Sequence, residues 1–190
     1  MKCGFAIFLY KKGLFDMKIL ISFLMLGSLL SAEIKLPQNF KTDFNQTITN
    51  EKGKVISYEG KVLFINANLG LFKWSYTAPT QKEVCTDGIT VTIVDHDLEQ
   101  VSYYRIEKGI NLQEILKVAT EISPQAYTAT YKEVEYLIVL DKEEQLKEIS
   151  YVDNLDNKVK IVFTNMKYAS SISENVLECN APQDYDIIKG

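Results

Sequence analysis

FKWSYTAP, residues 72–79, sets three aromatic side chains at alternate positions and ends on a proline. A period of two is that of a β-strand, so Phe72, Trp74 and Tyr76 share one face and Lys73, Ser75 and Thr77 the other. Pro79 has no backbone N–H to give to a ladder and marks the end of the strand. The aromatic face must lie against something: a permanently packed core, or a space whose occupant comes and goes.

The surrounding sequence repeats the pattern. Phe40, Thr42, Phe44, Gln46 and Ile48 alternate with polar residues up to a turn at Gly53. Strands are predicted over 55–65, 71–76, 82–86, 90–94, 101–106, 136–140, 146–151, 159–163 and 176–179. Asp87 and Gly88, flanked by two of these runs, give the strongest hairpin signal in the chain. Spacing and turn chemistry of this kind predict one curved antiparallel sheet or barrel. Residues 111–122 differ, because Leu112, Ile115, Leu116, Ala119 and Ile122 fall on one helical face. Asn111 is placed to cap this helix, Glu114 to complete a capping box, and Pro124 to stop it. The expectation is a mainly β domain, an incomplete barrel with one helix laid over its concave side.

The N-terminal region reads as export machinery. Met17 and Lys18 precede an apolar run from Ile19 to Leu26, and small residues lead to Ala32. This has the form of a secretory signal peptide, shorter than the roughly 20 residues of a membrane span. We expect residues 1–32 to be an upstream extension plus signal peptide, with the start at Met17 and cleavage after Ala32. Residues 33–190 then form a single domain. No cysteine stands directly at that cleavage point to carry a lipid anchor, so a soluble, monomeric periplasmic protein is expected. The whole chain carries a net charge of −4, and the leader removes more lysines than acids, which argues against a nucleic-acid partner. Cys85 and Cys179 remain; an oxidising compartment allows one disulfide, and two separate thiols fit the sequence equally well.

Catalytic chemistry finds little footing. The single histidine, His96, lies between Asp95 and Asp97 in a hairpin turn, where neighbouring side chains point in different directions. Neither a metal site nor a Ser-His-Asp triad is expected there. Cys85 has no basic neighbour in sequence to activate it, and no phosphate-cradling glycine loop is present. No enzyme activity, metal or cofactor is predicted.

Phe72-x-Trp74-x-Tyr76-x-x-Pro79, the Asp87-Gly88 hairpin and Leu98-x-Gln100-Val101 together resemble the LolA family of periplasmic carriers of outer-membrane lipoproteins. Phe40, Phe44, Gln46, Gly60 and the stretch from Pro182 to Ile187 extend the similarity along the chain. The resemblance implies an open antiparallel barrel with a helical lid over an aromatic-lined cavity that takes lipoprotein acyl chains. It implies as partners acylated lipoproteins, a lipoprotein-releasing ABC transporter of the inner membrane, and an outer-membrane acceptor or that membrane itself. Phe72 matches the position at the cavity mouth that also meets the transporter, and Trp74 matches a wall position. On this basis the candidate acyl-chain contacts are Phe44, Phe64, Phe72, Trp74, Tyr76, Val91, Ile93, Ile138 and Phe163, with Leu112, Ile115, Leu116 and Ala119 on the lid.

Three features depart from the family pattern. The loop before Phe72 lacks the usual Arg-Pro pair, the stretch 33–38 leaves no room for an N-terminal lid helix, and Cys179 stands where an aromatic is common. The expectation is a cavity more open than usual, or one covered only by residues 111–122. The alternatives are a half-barrel carrying another lipid, a lipoprotein acceptor or sensor, and a hydrolase built on His96. An acceptor calls for an N-terminal lipidated cysteine, and a hydrolase would fail on replacement of His96.

Overall fold

A computed structural model of the chain describes residues 34, 39–65, 70–105, 112–168 and 171–189, all within the compact unit Ala32–Gly190. The signal peptide, most of the 33–38 and 66–71 stretches, and the Asn111 cap lie outside the described residues.

Among the described residues twelve strands form one sheet. They are β1 (Asn39–Thr49), β2 (Val55–Ile65), β3 (Leu71–Ala78), β4 (Lys82–Thr86), β5 (Thr90–Asp95), β6 (Gln100–Arg105), β7 (Thr120–Ser123), β8 (Ala126–Tyr131), β9 (Val134–Leu140), β10 (Leu146–Val152), β11 (Lys158–Tyr168) and β12 (Asp186–Lys189). Their spatial order is β12-β6-β5-β4-β3-β2-β1-β11-β10-β9-β8-β7, so the sheet is open, with β12 and β7 as its edges. Neighbours are antiparallel except β12, which runs parallel to β6. The mainly β, unclosed architecture agrees with the sequence.

Alternation decides which face becomes the core. Phe40 pairs with Phe64, and Phe64 with Phe72. Two rows further along the same face, Phe163 pairs with Phe44 and Phe44 with Gly60, which faces Tyr76. These rows line the concave face, where Phe40, Phe44, Phe64, Ile138, Ile149 and Phe163 form a buried cluster. Helix α1 (Leu112–Lys117) buries Ile115 and Leu116 in it and lies against β8.

Gly60 sits where β1, β2 and β3 come closest. A Cβ there would meet the Ser75 carbonyl oxygen and stand 2.7 Å from Phe44 Cε1. Gly60→Ala should therefore destabilise the fold by about 1–3 kcal/mol, the range of an overpacked core. A lowered urea midpoint with an unchanged slope checks this, and an unchanged midpoint would show that the strands can part freely.

Four local expectations are corrected. The helix ends at Lys117 rather than Ile122, and Thr120–Ser123 pairs with β8 as an edge strand. Val118, Thr120 and Ile122 are β-branched and lose rotamer freedom in a helix, whereas pairing supplies their backbone with partners. Strand β8 was not anticipated, because its two-residue turn to β9 uses Lys132 and Glu133 at φ 49° and 67°, a type I′ geometry that Asn and Gly normally signal. Residues 176–179 are not a strand; Glu174–Leu177 is a 3-10 helix that buries Leu177. The last strand is instead β12, whose outer edge has no partner among the described residues.

Candidate ligand-binding site

The concave face is not filled by its own side chains. Between α1 and the sheet lies a cavity of about 420 Å³. Phe72, Trp74 and Tyr76 of β3 form one wall with Val84 and Thr86 of β4 and Val91 of β5. Ile161 and Phe163 of β11, Ile149 and Tyr151 of β10, and Tyr136 of β9 form the other, with Leu112 and Ile115 above. None of the described side chains lining it is charged.

The burial of β3 answers the question raised by its alternation. Phe72, Trp74 and Tyr76 are only half-buried, while Lys73 on the opposite face is 8% exposed. Aromatics in a sealed core would be inaccessible; these face a space that admits a guest. Aromatic packing holds the wall in place: Phe44 meets Trp74 and Tyr76 edge-on, with centroids 4.8 and 5.1 Å away, and Trp74 lies 6.2 Å from Phe163. Each such pair contributes about 0.5–1.5 kcal/mol beyond its buried area.

One end of the cavity is polar without being charged. Tyr76 Oη donates to Gln46 Oε1 at 3.2 Å. The Tyr58 ring packs on Tyr76 at 5.8 Å, and the Tyr136 ring on Tyr151 at 5.2 Å. Burial, helped by neighbouring Tyr151 and Tyr58, pushes the Tyr76 hydroxyl up to about 12. Burial, with Tyr136 and Asp153 adding to it, does the same for Tyr151. Both remain neutral hydrogen-bonding phenols at any physiological pH.

The convex face behind this wall is clasped by the C-terminal segment. Lys73 Nζ lies 2.9 Å from Glu83 Oε1 and donates to the Glu178 carbonyl at 2.9 Å. Cys85 and Cys179 form a disulfide across 94 positions of sequence, deciding between the two states the sequence allowed. The Asn180 N–H donates to Glu83 at 3.1 Å, and His96 Nδ1 lies 3.2 Å from Tyr185 Oη. On β5 and β6, Val94 and Val101 are 0% and 2% exposed. Glu83 with Cys85 and Cys179 is a cluster of potential metal ligands among the described residues, but its two sulfurs are bonded to each other.

Of the residues singled out from sequence, Phe72, Trp74, Tyr76, Val91, Leu112, Ile115 and Phe163 line the cavity. Phe44, Phe64, Leu116 and Ile138 lie in the packed core beneath it. Ala119 packs against that core from beyond the end of α1, and Ile93 is half-buried on β5. Sequence reading passed over Gln46, Val84, Tyr136, Ile149, Tyr151 and Ile161, all of which line the cavity. A signal was present, since Ile149 with Tyr151, and Ile161 with Phe163, alternate as the β3 aromatics do.

An open half-barrel with an uncharged, largely apolar cavity defines a ligand-holding β fold. The family model described as "Outer membrane lipoprotein carrier protein LolA" matches residues 37–178. The chain belongs to that family. It is similar to the outer-membrane lipoprotein carrier protein of Campylobacter jejuni, 34% identical over 90% of this chain and 97% of the relative. It also resembles that of Wolinella succinogenes, 28% identical over 91% and 99%. Among solved structures, a LolA superfamily protein from Nitrosomonas europaea aligns at 10% identity and a TM-score of 0.43, covering 77% of this chain and 93% of that one.

Proposed function

We propose that the protein is a periplasmic carrier that shields the acyl chains of lipoproteins released from the inner membrane and delivers them to the outer membrane. The observation that carries this is the cavity itself, apolar, accessible and free of charge among its described lining residues. Each methylene exposed to water costs about 0.8 kcal/mol, so a long acyl chain in water costs on the order of 10 kcal/mol. A lipoprotein cannot cross an aqueous compartment without a cover of similar apolarity. Within the cavity the chain loses little relative to the bilayer, so loading requires energy from an ABC transporter, whose contact we place at Phe72. Delivery to an acceptor or to the outer membrane then runs downhill. Carriers of this family are not enzymes, and the task needs no nucleophile and no cofactor. Among the described residues no helix is long and apolar enough to cross a membrane.

The test is a release assay. Purified protein is incubated with energised spheroplasts of its source organism, and the supernatant is probed for acylated lipoprotein. Acylated lipoprotein that elutes together with this protein supports the reading; a supernatant holding only empty protein overturns it.

A further inference from the structure

The polar end of the cavity has no evident task in holding hydrocarbon. Gln46 on β1, Tyr76 on β3, Tyr136 on β9 and Tyr151 on β10 line the same space, and none of them ionises in the physiological range. Tyr136 is 3% exposed. Among the described residues neither its hydroxyl nor that of Tyr151 makes a hydrogen bond, whereas that of Tyr76 is already paired with Gln46. Among the described residues no fully sealed side-chain polar atom lacks a partner, so these two hydroxyls open onto space that water or a ligand can fill. A phenol donor at the border of an apolar cavity suits a neutral acceptor such as a carbonyl oxygen. It does not suit a carboxylate or phosphate, whose charge would be desolvated here with no cation among the described lining residues to balance it.

We propose that this end of the cavity is a subsite for the ester carbonyls of the bound acyl groups, with the Tyr136 and Tyr151 hydroxyls as donors. The proposal rests on the carrier reading and narrows it. The ligand class becomes neutral, ester-linked diacylglyceryl groups, and free fatty-acid anions are disfavoured.

Trp74 is the only tryptophan in the chain and lines the cavity, so its fluorescence reports occupancy. Two synthetic lipopeptides are compared, each with an N-terminal cysteine bearing two chains of equal length, linked through esters in one and ethers in the other. The wild type should bind the ester probe about five times more tightly, the worth of a neutral hydrogen bond. In Tyr136→Phe/Tyr151→Phe that ratio should fall to about one. Equal binding of both probes by the wild type, a ratio retained in the variant, or a fatty-acid anion binding as well as the ester probe would each overturn the subsite while leaving the carrier role standing. Failure of the wild type to bind either probe would overturn both readings.

Discussion

Phe72→Glu should abolish the release of soluble lipoprotein complexes, while Phe72→Leu should leave it nearly intact. Phe72 lies on β3 between Phe64 and Thr86, half-buried at the cavity wall. In the empty protein a carboxylate there keeps some contact with water, so the fold should survive. An acyl chain in the cavity would strip that water away, and none of the described lining residues offers a cation in return. An unpaired charge desolvated in this way costs at least about 3 kcal/mol, which is roughly a 100-fold loss of affinity. Leucine removes the ring but keeps the surface apolar. The checks are the lipoprotein content of the supernatant for each variant and Trp74 fluorescence titrated with a diacyl lipopeptide. If Phe72→Glu bound and released cargo as well as Phe72→Leu, the chain would not pass this wall.

Removing the disulfide should produce the largest loss of stability. Cys85 and Cys179 are separated by 94 positions, and in the chain-entropy model a loop of about that length contributes roughly 4–5 kcal/mol. Its attachment points explain why the loss should be structural as well as entropic. Cys85 is 4% exposed on β4, and Cys179 follows directly after Glu178, whose carbonyl accepts from Lys73. Released, the C-terminal segment would leave Lys73 and Glu83 to each other and uncover the convex face of β4, β5 and β6. In urea unfolding, the reduced wild type and Cys85→Ala/Cys179→Ala should both have midpoints well below that of the oxidised wild type, and equal to each other. Coincident midpoints for the oxidised and reduced wild type would show that the cross-link holds nothing that the ion pair and β12 do not already hold.

The structure separates these two effects. The first acts on the concave face and should change binding with little change in stability, whereas the second acts on the convex face. Odd and even positions of β3 carry the two roles, one residue apart: Phe72, Trp74 and Tyr76 face the cavity, and Lys73 faces the clasp. A single strand therefore couples the site to the C-terminal segment, and any motion of β3 is felt on both sides.

The sequence by itself determined what short-range chemistry controls. Alternation placed β1 to β6, β9, β10 and the first half of β11. The hairpin turn was legible because Gly88 takes φ 89° and the Asp87 carboxylate accepts the N–H groups of Ile89 and Thr90 at 2.8 and 2.7 Å, which also holds that carboxyl below the usual range. The aromatic wall of β3 could be read from five consecutive residues. What could not be read depends on groups distant along the chain. Lys73 looks like a solvated residue until Glu178, 105 positions later, arrives to bury it. The two cysteines carry no local mark of being partners. The tyrosine end of the cavity is assembled from positions 46, 76, 136 and 151, each an ordinary strand residue in its own neighbourhood. Periodicity tells which side of a strand is apolar, because that follows from backbone geometry alone. Whether that side closes into a core or stays open as a cavity is decided by how far the sheet curls and what the helix and the C-terminal segment cover, and only the tertiary structure fixes that.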